Sequence, residues 1–129
     1  MSRALAPGRN RTGRRRATRT VSGVLAAWGV VQLARPGQLV RTLSPDRPGP
    51  RLWVVRLLGA RMLAQHALVI TAPDRPVVAL SATVDGIHAA TMLLTAATMP
   101  AYRRASLVSA GVAGAASLAG MLAAPRAQR

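Results

Sequence analysis

The sequence contains no cysteine, no lysine, no glutamate and no phenylalanine. Without cysteine, disulfides, thiolate metal sites and cysteine nucleophiles are all excluded. Aromatic residues make up only 2% of the chain. A water-soluble core relies on large side chains for much of its buried area, and they are scarce here. The hydrophobic half of the composition is mostly Ala, Val and Leu, accompanied by Gly. Small side chains pack well between helices in lipid, where close backbone approach matters. The net charge is +15 and every basic residue except two histidines is Arg. A GC-rich genome produces the same skew, so no single Arg is read as chosen over Lys. The 129 residues suit one domain.

Residues 1–20 carry Arg3, Arg9, Arg11, Arg14, Arg15, Arg16 and Arg19, and few large apolar side chains. They read as a disordered basic arm. Four apolar runs follow. Val21–Ala34 falls short of the roughly 17 residues that a span requires at minimum. Only Thr18–Thr20 could lengthen it, with Arg19 drawn inward to snorkel. A polar connection over 35–51 is rich in Pro and Arg, and Gln38–Leu43 within it has the pattern of one interfacial helical turn. Leu52–Ala72 and Val77–Met99 have spanning length, separated by the tight turn Pro73-Asp74-Arg75-Pro76. After a second turn, Pro100–Arg104, Ala105–Ala124 is uncharged, and Pro125–Arg129 is a basic tail. Short connections between long apolar runs predict an all-α, up-and-down helical bundle in a membrane, with three to four transmembrane segments. The domain organisation expected is an arm over 1–20, a helical membrane domain over 21–124 and a tail over 125–129.

Two topologies place the N-terminus in the cytoplasm of a plasma-membrane protein. If all four runs cross, Arg35, Arg41, Arg47, Arg51, Arg103 and Arg104 lie outside. If the first run is re-entrant or interfacial, these join the arm inside and the C-terminus lies outside. The positive-inside rule favours the second arrangement, with three full spans. A cleavable signal peptide is a third reading of residues 1–34, but Gln32 fits the small-residue cleavage pattern poorly.

Ionisable groups inside the runs mark the candidate site. A charge at mid-bilayer costs a few kcal/mol or more, so each asks for a partner or a purpose (roughly 2.5–3.5 on insertion scales). Folding the second and third runs about Pro73–Pro76 sets Ala72 level with Val77, and Arg61 level with His88. Asp85 then lies roughly 4–5 Å away in depth. Ser81, Asp85, His88, Met92 and Thr95 recur at helical spacing and form one stripe. Arg61 and Gln65 form the facing stripe. An Arg61–Asp85 ion pair flanked by Gln65 and His88 is therefore expected. Such a pair fixes helix register. The same cluster is also the raw material of a proton relay or ligand site. His66, level with Thr83, reads as a separate hydrogen-bonded histidine.

Other chemistry finds no support. There is no HExxH, GxGxxG, P-loop or nucleophile elbow, so no cofactor, metal site or enzymatic constellation is indicated. The arm reads as a topology anchor on anionic lipid. It lacks stacking aromatics and any groove-reading motif for nucleic acid, and Arg15-Arg16 is not a twin-arginine signal. In the fourth run, Ala110/Gly114, Gly111/Ala115 and Ala116/Gly120 form small-xxx-small faces. These permit close packing within the bundle or between copies in a homo-oligomer.

The segments Val55–Gln65 (VRLLGARMLAQ) and Val84–Met92 (VDGIHAATM) resemble those of small, uncharacterised multi-span membrane proteins of actinobacteria. The resemblance, over about 21–124, implies a helical membrane protein from a GC-rich bacterium and nothing about substrate. The expected role is structural or accessory. The alternative is a small transporter or proton-coupled subunit using Asp85, His88 and Arg61.

Overall fold

A computed structural model describes residues 7–45 and 49–123. The chain folds into α1 (Pro7–Ala34), α2 (Pro36–Leu43), α3 (Leu52–Thr71), α4 (Arg75–Thr98) and α5 (Arg103–Ala123), with a single 3₁₀ turn, Pro100–Tyr102, before α5. No strand occurs among the described residues, and the all-α bundle is the observed architecture. Three stretches are long and apolar enough to cross a membrane: Leu52–Thr71, Arg75–Thr98 and Pro100–Leu122, of 20, 24 and 23 residues.

Helices end where proline forces them to. Pro73 follows α3, Pro76 occupies the first turn of α4, and Pro100 follows α4. The amphipathic α2 starts with Pro36 in its first turn and is longer than the single helical turn expected there.

Two closely packed antiparallel pairs, α1–α3 and α4–α5, face each other. Glycine makes the first pair possible. A Cβ on Gly29 would lie 2.8 Å from the Gly59 carbonyl oxygen, and one on Gly59 would lie 2.7 Å from Gln32 Cβ. In the second pair, Gly120 meets Ala82, Gly86 meets Ser117, and Ser117 Oγ donates to the Ala82 carbonyl at 2.7 Å. The Ala116/Gly120 face of α5 is thus used inside the bundle. Gly111 and Ala115 face outward.

The first run is the C-terminal half of one continuous helix that packs along α3. Gly29 touches Gly59, and Arg19 Nε donates to the Ile70 carbonyl at 3.2 Å, so α1 runs the full depth of α3. Residues 7–20 are not disordered: α1 is one 28-residue helix from Pro7. Once Val21–Ala34 is docked, extending the helix needs only propagation, and Arg is a good helix former. The arginines also find partners. Arg14 Nη1 donates to the Leu122 carbonyl at 3.3 Å, and Arg15 lies 3.7 Å from the Asp74 carboxylate. Arg14 and Arg19 thereby meet the negative, carbonyl-rich ends of α5 and α3. The end of α5 and the basic half of α1 share one end of the bundle, with the 72–74 turn. Residues 35–45, 49–51 and Met99–Arg103 occupy the other. Residues 1–6 of the arm and the tail 125–129 lie outside the described residues.

The interior is small and polar, and the surface is large and apolar. Ala82, Ala89, Ala96, Ala110, Ala113 and Ala116 are buried, and the largest fully buried side chains are Val78 and Asp85. Leu80, Ile87, Leu94 and Leu122 are 64%, 64%, 65% and 78% exposed. Outward threonines Thr71, Thr83, Thr91 and Thr98 turn their hydroxyls onto their own helix carbonyls. This satisfies them without water.

Gly59→Ala is expected to lower the thermal unfolding midpoint in detergent, because its methyl group meets backbone and overpacking costs about 1–3 kcal/mol. Gly111→Ala, where a Cβ meets nothing within 4 Å, should raise the midpoint, since helix propensity adds up to about 1 kcal/mol of stability. Circular dichroism melts of both variants check the opposite signs.

Candidate functional site: an internal Arg–Asp–His cluster

Asp85 enters the bundle from the middle of α4, on the buried side of the stripe that Ser81 begins. It is 1% exposed. Arg61 reaches it from α3, with Nη2 3.5 Å from Oδ1. The Arg61 side chain is 29% exposed, so the pair is open on its arginine side only. Gln65, one turn along α3, orients the guanidinium. Its Oε1 accepts from Arg61 Nη1 at 3.1 Å, and its Nε2 donates to Ser81 Oγ at 2.9 Å and to the Ser81 carbonyl at 3.2 Å. The chain Ser81–Gln65–Arg61–Asp85 therefore ties α3 to α4 where their backbones stand apart. Side chains of this length, rather than glycine contacts, fill that gap.

His88 occupies a different place from the one that depth and face suggest. It turns toward α5, where its Nε2 and Ser109 Oγ share a hydrogen bond of 3.0 Å. The residue that approaches Asp85 from the other side is His66, with Nε2 3.8 Å from Oδ2. That is an electrostatic contact beyond hydrogen-bond range. His66 is 3% exposed and neither ring nitrogen has a hydrogen-bond partner. The sequence reading of His66 as a hydrogen-bonded residue away from the cluster is thus corrected. The signal was present in the depth count, since Thr83 is only two residues from Asp85. The face assignment obscured it, because a carboxylate between two helices is reached from more than one face. Ser109 was legible only as a polar residue in an uncharged run.

Two cavities flank the cluster. One, of about 90 Å³, descends from α2 and Pro50 to mid-depth. Its walls include Trp28 of α1, Leu39, Val40 and Leu43 of α2, and Val108 and Val112 of α5; Gln32, Arg61, His88 and Ser109 supply its polar part. The other, of about 20 Å³, touches His66, Ser81, Ser22 and Thr18 on the side of the basic arm. A space of that size holds about one water molecule. Among the described residues no group of three or more metal-ligating side chains occurs.

No protein-family model, curated protein or solved structure matches the chain. The chemistry therefore rests on the geometry. A buried carboxylate lies between a permanent cation and a buried imidazole that has no hydrogen-bond partner.

Removing only one member of a buried pair leaves an uncompensated charge, which costs about 3–5 kcal/mol. Arg61→Gln is expected to destabilise the bundle by an amount near the lower end of that range, because its side chain is partly exposed. Asp85→Asn combined with Arg61→Gln should recover a large part of the loss. A double-mutant cycle from reversible unfolding in mixed micelles measures the coupling. Additive losses would sink the pairing.

Proposed function

We propose that the protein is an integral protein of the plasma membrane in which α1, α3, α4 and α5 cross the bilayer side by side, and that its role is structural or accessory. One observation carries this reading. The fold is turned inside out relative to a water-soluble bundle, with a carboxylate and a histidine buried and long aliphatic side chains outside. In water the exposed leucines would go unburied. In lipid they are at home, and the small-residue interior gives close van der Waals packing. The polar groups inside are largely engaged in joining helices, which supports a structural role over an enzymatic one.

The positive-inside rule supports a cytoplasmic N-terminus. Arg9, Arg11, Arg14, Arg15, Arg16, Arg19 and Arg75 belong to one end. Arg35, Arg41, Arg51, Arg103 and Arg104 belong to the other. The shared end of α1 and α5 then puts the C-terminal end of α5 in the cytoplasm too. The bilayer is the principal partner. The outward Gly111/Ala115 face of α5 is where a second copy would approach closest. A second reading, a small transporter or proton-coupled subunit using Arg61, Gln65, Asp85 and His88, is favoured by the cavity that reaches Arg61 and His88.

Reporter fusions after Ala34, Arg75, Arg104 and Arg129 should report outside, inside, outside and inside. A fusion after Ala34 that reports inside would overturn the four-crossing arrangement. Protein released by carbonate washing would overturn the membrane reading itself.

A further inference from the structure

The larger cavity and the orphaned histidine together carry an inference beyond a structural role. Arg61 spends one N–H of Nη1 on Gln65 and one of Nη2 on Asp85. A guanidinium has five N–H donors. Its contact with Asp85 is single and long rather than the bidentate fork that Arg forms with a committed carboxylate. The same side chain lines a cavity whose other walls are chiefly apolar. Among the described residues, the end of the bundle from which this cavity descends carries Arg35, Arg41, Arg51, Arg103 and Arg104 and no carboxylate. Such a rim concentrates anions. A neighbouring surface cleft, which shares Leu43 and Val108 with the cavity, is bordered by Arg103 and Arg104.

We propose that this cavity is a binding site for a small monocarboxylate with a short apolar chain, held by Arg61 beside His88, and that binding draws one proton onto His66. The carboxylate takes the free N–H donors of Arg61, and its chain lies against Trp28, Leu58 and Val112. The proton follows from charge balance. With His66 neutral, Arg61 and Asp85 cancel. An added carboxylate leaves one net negative charge in a low-dielectric interior, a costly state. His66 is placed to cancel it: buried, without a hydrogen-bond partner, and 3.8 Å from Asp85 Oδ2. The charged groups near it are Asp85 from α4 and Arg61 from its own helix, with His88 one turn beyond Asp85. Toward the small cavity beside it, α1 presents Thr18 and Ser22, and α5 presents only Ala116, Ala119 and Gly120. That cavity has room for about one water, which supplies the proton's route from the arm end. Protonated His66 then pairs with Asp85 and leaves Arg61 to the ligand.

The inference rests on the membrane-bundle reading but fails separately from it. The test uses full-length protein in lipid nanodiscs, with helicity confirmed by circular dichroism. The chain has two tryptophans. Trp28 lines the cavity and Trp53 is exposed, so Trp53→Leu leaves a single reporter. Butyrate and 1-propanesulfonate should each give a saturable change in Trp28 emission, and butanol should give none. Arg61→Gln should weaken binding by roughly tenfold or more, the scale of one lost charge-assisted hydrogen bond. Should Arg61→Gln fail to fold, Val112→Phe fills the cavity without touching the cluster and should abolish the signal. Propanesulfonate stays ionised, so any pH dependence of its binding belongs to the protein. Its affinity should fall by about tenfold per pH unit over the range in which His66 is neutral in the free protein and protonated in the complex, as uptake of one proton requires. His66→Gln should flatten that dependence. A folded protein that answers neither anion, or answers butanol equally, overturns the site. An unchanged pH profile in His66→Gln overturns the proton coupling.

Discussion

A carboxylate that is 1% exposed, in a bundle whose outer surface is aliphatic, must have its charge compensated from within. That requirement organises the rest of the molecule. Asp85 cannot reach water, so Arg61 is brought to it across the gap between α3 and α4. Gln65 holds Arg61 by one oxygen and α4 by its amide, so the guanidinium is oriented by the helix that it joins. Because side chains of this length fill the α3–α4 gap, those backbones stand apart, while the glycine contacts of α1–α3 and the Ala–Gly contacts of α4–α5 draw the other pairs together. The two cavities border this polar cluster from either side.

The basic arm obeys the same logic of compensation. Helix C-termini expose unpaired carbonyls, which attract arginine donors. Arg14 and Arg19 find those of α5 and α3, and Arg15 finds Asp74. This explains how a run shorter than a normal span traverses the bundle. The helix is lengthened by residues whose charges are absorbed at its rim.

Much of this was legible along the chain. Proline pairs and apolar runs predicted the turns and the three long helices, because proline removes a donor and run length is read directly against bilayer thickness. Residue counting from the turn put Arg61 and Asp85 together. It set His88 beside that pair without its hydrogen bond to α5, because counting along two helices is blind to a third, and it set His66 apart although His66 approaches Asp85. His88 turned to Ser109 on α5, which a hairpin argument does not contain. The arm was misread for a related reason. Composition weighs apolar content, whereas its helix is stabilised by carbonyls at the ends of distant elements.

By itself, then, the sequence determined the helical class, the breaks between helices, the absence of thiol chemistry, and the need of Asp85 for a basic partner at its own depth. These follow from local rules: backbone sterics, hydrophobic length and the cost of an unpaired charge. Tertiary structure alone decided that α1 runs antiparallel to α3, and that its basic half shares an end with the end of α5. It also decided that Asp85 has two candidate partners. The reason is physical. Which helices touch depends on where glycine and alanine let backbones meet in three dimensions, and Gly29 acquires its meaning only when Gly59 stands against it.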